Sequence, residues 1–284
     1  MSMTESIWLN GEIMPLAEAR IGVEDRGFQF ADGVYEVIRL YNFRPFALES
    51  HLKRLRKSAG GIRLSLPIEL QKLKSEIGRF LGVAPQRDGM IYLQLTRGCA
   101  PRNHAFPQSR PTLLFYTREL PPISDLAGGE GVKLLSVADE RWKRCWIKSI
   151  ALLPNVLAKN QALDAGADEA VFIDSGLVTE CSASNIFAVI GGRLVTPPVG
   201  SKVLPGITRD ILLEIARKMG IAVEERALRE EEAIAADEIF ITSTTREISW
   251  VMRWNERGIG GGRRGPITLR AQKTLREKIV CETA

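Results

Sequence analysis

Histidine is scarce in this chain of 284 residues, His51 and His104 being the only two, and the four cysteines lie far apart with no C-x-x-C pair. Those shortages argue against a dedicated zinc site and against a disulfide framework. No apolar run approaches the roughly eighteen residues that a membrane helix needs. The start MSMTESIWLNGE lacks the basic-then-apolar layout of a secretory signal, so a cytoplasmic location with no membrane partner is expected. The phosphate-binding pattern G-x-x-x-x-G-K-[ST] and the nucleophile pattern G-x-S-x-G are both missing. The glycines from Gly258 to Gly265 lack G-x-G-x-x-G order and read as a floppy hairpin tip. Basic residues outnumber acidic ones by 39 to 34, giving a net charge of +5, but they are scattered rather than gathered in one block. The densest run, Arg141-Trp142-Lys143-Arg144, reads as a solvated or interface segment, and no nucleic-acid partner is expected.

What is present is a mixed pattern of strands and helices without repeats. SIWLNGEI reads as a hairpin, and GVYEVIRLYN alternates as a half-buried strand. Leu48, Leu52, Leu55 and Ala59 recur at helical spacing over 47–59, with Arg54 between them. MIYLQLTRG and TLLFYTREL read as two strands joined by the loop CAPRNHAFPQSRP. The stretch 120–130, LPPISDLAGGE, lacks periodicity and reads as a linker, which predicts an N-terminal α/β domain over 1–119 and a C-terminal mixed domain over 131–284. In the latter, VKLLSVADE is a strand, PNVLAKNQALDAGA a helix, and EAVFIDSGLVTECSASNIFAVIGGRLVTPP a succession of strands and turns. Gly220 ends the amphipathic helix that PGITRD opens, and a short acidic helix precedes the strand DEIFITSTT.

Several residues invite chemistry. The helix start at Ile207 and Thr208 offers unpaired backbone N–H groups that suit a phosphate. The hydroxyl run Thr242-Ser243-Thr244-Thr245 offers a second wall, although such runs more often make turns. Lys148 in the apolar stretch CWIKSIALL could serve as a Schiff-base nucleophile. Spacing alone favours a strand-edge lysine with its head group in water. Glu180 is likewise a carboxylate between strand-like segments, equally readable as a turn residue.

Seven segments taken together say more: EDRGFQFADGVYEVIRLYN, HLKRLRKSA, TRGCAPRNHAFP, RWKRCWIKSIALLPNVLAK, VTECSASNIF, LPGITRD and FITSTTREI. In this order and nearly end to end, they resemble the fold-type IV pyridoxal-phosphate enzymes, most closely the D-amino acid aminotransferases among them. The resemblance implies a two-domain α/β fold with pyridoxal 5′-phosphate in the interdomain cleft. It implies that Lys148 forms the Schiff base and moves the substrate proton, and that Glu180 pairs with the pyridine nitrogen. Arg54, Ile207, Thr208 and Thr244 would hold the phosphate. Tyr35, Arg102 and His104 match the groups that receive the substrate α-carboxylate, an arginine fork being suited to that task. The loop bearing Arg102 and His104 reaches in from a partner subunit in this family, which implies a homodimer with shared sites. The implied reaction is transamination between a D-amino acid and a 2-oxo acid.

Three positions depart from the pattern, of which Asn103, inside R-x-H, is harmless. Arg39 stands where D-specific members carry lysine, resembling the branched-chain L-amino acid aminotransferases, and Cys181 stands where glycine or serine is usual. Alternatives within the cofactor class are a branched-chain L-amino acid aminotransferase, an (R)-amine transaminase and an aminodeoxychorismate lyase; the Arg102-x-His104 pair ranks them lower. A degenerate, basic binding protein is the alternative without chemistry.

Overall fold

The computed structural model describes residues 5–121, 123 and 129–284. The chain divides into two compact units: Met1–Pro122 with Ile147–Ala151 and Glu282–Ala284, and Ile123–Trp146 with Leu152–Cys281. No helix among the described residues is long and apolar enough to cross a membrane.

The first unit is built on an antiparallel sheet of β1 (Ser6–Leu9), β2 (Glu12–Pro15), β3 (Gly33–Tyr41), β4 (Arg44–Pro45), β5 (Gly89–Thr96) and β6 (Thr112–Glu119), in the order β2-β1-β6-β5-β3-β4. A short helix α1 (Arg26–Phe30) precedes β3, and α2 (Leu48–Gly61) and α3 (Leu70–Val83) follow it. Alternation decides which side each strand buries. Val34, Ile38 and Leu40 of β3, Ile91, Leu93 and Leu95 of β5 and Phe115 of β6 are all buried. Leu52, Leu55 and Ala59 of α2 and Leu73, Ile77 and Phe80 of α3 join them in the core, Phe80 meeting Phe115 edge-on at 5.4 Å. Glu36 lies in the same strand phase as Val34 and Ile38, so a carboxylate enters this apolar layer.

The second unit is a mixed ten-stranded sheet. Its strands are β7 (Val132–Ala138), β8 (Glu169–Asp174), β9 (Leu177–Cys181), β10 (Asn185–Ile190), β11 (Arg193–Thr196), β12 (Val223–Glu225), β13 (Leu228–Arg229), β14 (Glu238–Ser243), β15 (Glu247–Trp254) and β16 (Arg257–Gly258). They run in the order β12-β11-β10-β14-β15-β7-β8-β9-β13, with β16 on β15. Its helices are α4 (Leu153–Asp164), α5 (Ile207–Lys218), α6 (Glu230–Ile234) and α7 (Pro266–Thr283). Ile186, Ala188, Ile239, Ile241, Val251 and Trp254 form the centre of one core cluster. Ala158 and Ala162 of α4 pack with Phe172 in another.

Two features differ from the sequence expectation, and a third lies beyond what the structure describes. The segment carrying Lys148 belongs to the first unit, not to the C-terminal one, because Ser149 pairs with Val34 of β3. Most of the expected linker, residues 122 and 124–128, lies outside the described residues. The glycine cluster is not a loose tip. Its β16 end pairs with β15, Ile259 is buried, and a Cβ at Gly265 would lie 1.9 Å from Glu238 Cδ.

Candidate active site

In the first unit the chemistry gathers around β3. Tyr35 donates its backbone N–H to Lys148 O at 3.0 Å, and Ile150 N–H reaches Gly33 O at 3.2 Å. Lys148 N–H in turn donates to the buried Ser58 hydroxyl of α2 at 3.0 Å. The backbone on both sides of the lysine is therefore fixed. Its half-buried amine stands 4.1 Å from the centre of the Tyr35 ring, a cation–aromatic contact. Lys148 and Tyr35, both expected at the site, are thus brought together.

The other phase of β3 carries Glu36, fully buried, gripped by two residues of α2. Arg54 forks onto it through Nε and Nη2, both at 2.7 Å, and His51 Nδ1 lies 2.7 Å from Oε2. Burial pushes the Glu36 carboxyl up, but the Arg54 charge and the hydrogen bonds from Arg54 and His51 outweigh it and bring it to about 2. Burial likewise pulls the His51 imidazole below its ordinary value, against the opposing influence of Glu36. Arg54, expected at a phosphate, is thereby oriented by a carboxylate that the sequence reading did not single out. A charged residue in the buried phase of an alternating strand was the signal available.

Arg102 and His104 lie on the exposed connection between β5 and β6. The Arg102 guanidinium stacks over the Phe30 ring at 4.6 Å, and the His104 ring meets Phe30 at 5.6 Å. Neither hydrogen-bonds to Tyr35 or Lys148 among the described residues. Arg39 is buried and donates to Pro121 O at 2.8 Å.

In the second unit Glu180, near the end of β9, is nine-tenths buried or more and held on both oxygens. Arg141 Nη1 donates to Oε1 at 2.5 Å; Asn185 Nδ2 and Leu204 N–H donate to Oε2 at 3.1 and 3.0 Å. Arg141 forks back onto the buried Asp139 at 3.0 and 2.9 Å, and Asp139 accepts from Thr179 Oγ1 at 3.0 Å. Read from sequence as part of a solvated run, Arg141 is instead a buried counter-ion. Cys181 is buried beside this network, and burial pushes its thiol well above the usual range.

Asn185 also ties Glu180 to the start of α5. Its Nδ2 donates to Leu204 O at 2.9 Å, and a Cβ at Gly206 would lie 2.0 Å from its Oδ1, so only glycine fits ahead of Ile207 and Thr208. Among the described residues no side chain caps this helix start. On the neighbouring strand β14, Thr242 pairs with Asn185, and its buried hydroxyl has no hydrogen-bond partner among the described residues. Thr244 is half-buried in the turn that follows. The helix start and the hydroxyl run are brought to one end of this sheet.

Residues 33–254 match the family described as amino-transferase class IV. A D-alanine aminotransferase of Bacillus licheniformis is 41% identical over 279 residues, covering 98% of this chain and 98% of that protein. A D-alanine aminotransferase of Listeria monocytogenes serotype 4b (strain F2365) is 39% identical over 278 residues, 96% of each. Among solved structures, a T.th. branched-chain amino acid aminotransferase with pyridoxamine 5′-phosphate aligns with a TM-score of 0.90 at 28% identity, covering 97% of this chain and 94% of that one. The branched-chain amino acid aminotransferase of Escherichia coli aligns with a TM-score of 0.89 at 26% identity, covering 96% and 94%.

Proposed function

The chain belongs to the class IV amino-transferase family, and from that premise we propose that Lys148 holds pyridoxal 5′-phosphate and moves a proton at the α-carbon of a D-amino acid. The protein is a pyridoxal-phosphate enzyme that passes the amino group of a D-amino acid to a 2-oxo acid, as in D-alanine with 2-oxoglutarate giving pyruvate and D-glutamate. The observation that carries the residue assignment is the Lys148 amine, fixed 4.1 Å from the Tyr35 ring by backbone bonds on either side.

The residues fit the group. A buried carboxylate with a counter-ion, Glu180 with Arg141, suits a ring N–H. The uncapped start of α5 at Ile207 and Thr208, the hydroxyls of Thr242 and Thr244, and Arg54 suit a phosphate. When bound, the cofactor supplies an electron sink that acidifies the substrate α-hydrogen. Lys148, whose backbone is fixed on both sides, would be the base that takes up and gives back the substrate proton. Arg102 and His104, with Tyr35, bind the α-carboxylate and so fix which face of the α-carbon meets the lysine.

A homodimer in the cytoplasm, each partner lending its Arg102–His104 loop, belongs to the same proposal. The exposed Leu153, Val156 and Leu157 along α4 support such burial. The likeness to branched-chain aminotransferases rests on 26–28% identity, against 41% for the D-alanine enzyme.

The test is to mix cofactor-loaded protein with D-alanine, L-alanine or L-leucine, without acceptor, and follow the visible absorption and the 2-oxo acid released. D-alanine alone should bleach the band and yield pyruvate, and Lys148→Ala should lose both. Reaction with L-leucine in place of D-alanine would overturn the substrate, and a Lys148→Ala protein that behaves like the parent would overturn the assignment of the lysine.

A further inference from the structure

The segment that leads into β3, Asp25 to Asp32, contains no residue assigned above, yet it makes a dense set of contacts with the β5–β6 connection. Asp25 Oδ1 accepts Gly27 N–H at 2.8 Å, which caps α1. Its Oδ2 accepts the hydroxyls of Thr96 at 2.9 Å and Thr112 at 2.7 Å, one on each stem of that connection. Arg26 N–H donates to Gly98 O at 3.0 Å, and Arg97 N–H to Asp32 O at 3.1 Å. At Gly27 a Cβ would sit 2.3 Å from Thr96 Cγ2, so α1 lies directly on the stem.

The side chains repeat the pattern closer to the loop tip. Asp32 accepts from Arg26 Nε at 2.9 Å and from Arg97 Nε and Nη2 at 2.8 and 3.0 Å. Arg26 then reaches Asn103 O at 2.5 Å, the carbonyl between Arg102 and His104. The Phe30 ring takes Arg26 at 4.7 Å, Arg102 at 4.6 Å and His104 at 5.6 Å. Beyond them, Phe106 is held by Arg97 at 3.8 Å and Arg63 at 4.8 Å.

Two consequences follow from charge and shape. Asp32 pairs with both arginines behind the loop, whereas Arg102 has no carboxylate partner among the described residues and is left to meet an anion. The Phe30 ring attracts both cations, with the Arg26 and Arg102 guanidinium carbons 4.7 and 4.6 Å from its centre. The geometry points to Phe30 as the positioning residue of the substrate-carboxylate site, setting the guanidinium of Arg102 and the imidazole of His104 while Arg26 pins the carbonyl between them. This rests on Arg102 and His104 being the groups that take the α-carboxylate.

The experiment uses the holoenzyme as Phe30→Leu, Phe30→Tyr, Arg102→Ala and the Phe30→Leu/Arg102→Ala double variant. KM and kcat are measured with D-alanine, together with inhibition by propionate, which carries a carboxylate but no amine. Phe30→Leu should raise KM and the propionate inhibition constant about five-fold with kcat within about two-fold, as expected for loss of a ring–cation contact. Phe30→Tyr, which keeps the ring, should restore both. In the Arg102→Ala background Phe30→Leu should add nothing, since a residue that acts through Arg102 is silent without it. An effect of Phe30→Leu that survives undiminished in that background, or that falls on kcat with KM unmoved, overturns the positioning role. If Arg102→Ala alone leaves KM and propionate inhibition unchanged, the carboxylate assignment itself fails, and the inference fails with it.

Discussion

Arg141 and Glu180, thirty-nine residues apart in sequence, form an ion pair of 2.5 Å in which both side chains are more than nine-tenths buried. Arg141 also forks onto Asp139, so a single cation serves two buried anions. In the function proposed above, it holds in place the carboxylate offered to the cofactor ring nitrogen.

Arg141→Met therefore removes the cation paired with Glu180 and leaves Asp139, among the described residues, with only Lys202 as a cation, 3.7 Å away. The expected loss is about 3 kcal/mol or more in the unfolding of the apo-protein. Cofactor affinity should fall in parallel. Denaturant unfolding of the apo-protein and titration with the cofactor check both.

Acid should weaken the first unit through Glu36. Its carboxyl lies at about 2 in the folded protein against an ordinary 4.5. A depressed carboxyl contributes its full stabilisation above the unfolded value and loses it as pH falls through the folded one, so the loss spans about pH 4.5 to about 2. His51, also lowered, adds a loss of the same sign beginning below its ordinary 6.5. Stability measured against pH should fall through these windows, and in Glu36→Gln the lower step should disappear.

How much of this was legible in sequence varies by residue. The hairpin at Ser6–Pro15, the strands β3, β5 and β6 and the helix α2 were readable, because local alternation and helical spacing decide them. α3, β15 and α7 were not picked out. Lys148 and Glu180 were reached through ordered motifs, since each residue alone resembles an ordinary strand-end side chain. Arg141 was misread because its partners lie at Asp139 and Glu180, and a run of basic residues looks solvated until a distant carboxylate is folded onto it. Glu36 was overlooked although its strand phase is apolar, and the clasp on the Arg102 loop depends on residues some seventy positions apart.

Thr242 offers a test in which stability and binding part company. Its hydroxyl is buried without a partner among the described residues, so Thr242→Val removes an unsatisfied polar atom at nearly constant volume. The apo-protein should unfold at the same or a slightly higher denaturant concentration. Cofactor affinity should drop, measured by equilibrium titration.

At Gly265 the opposite is expected. Glu238 accepts the N–H groups of Ile267 and Thr268 at 3.0 and 2.8 Å at the start of α7, and its carboxyl group fills the space a side chain at Gly265 would need. Gly265→Ala should push Glu238 off that helix start and destabilise the protein by about 2 kcal/mol. A lower denaturation midpoint with an unchanged slope is the expected result.

The segment Ile147–Ala151 joins the first unit through an isolated bridge from Ser149 to Val34, across about 115 positions of chain, long after β3 is synthesised. During translation, β3 must wait for its lysine-bearing partner while much of the intervening polypeptide is still being made. A nascent or truncated chain that ends near residue 121 would expose the Tyr35 N–H that Lys148 O later occupies. The bonds that hold this segment to the start of β3 are the same ones that hold the Lys148 backbone, so docking the segment and placing the lysine are one event.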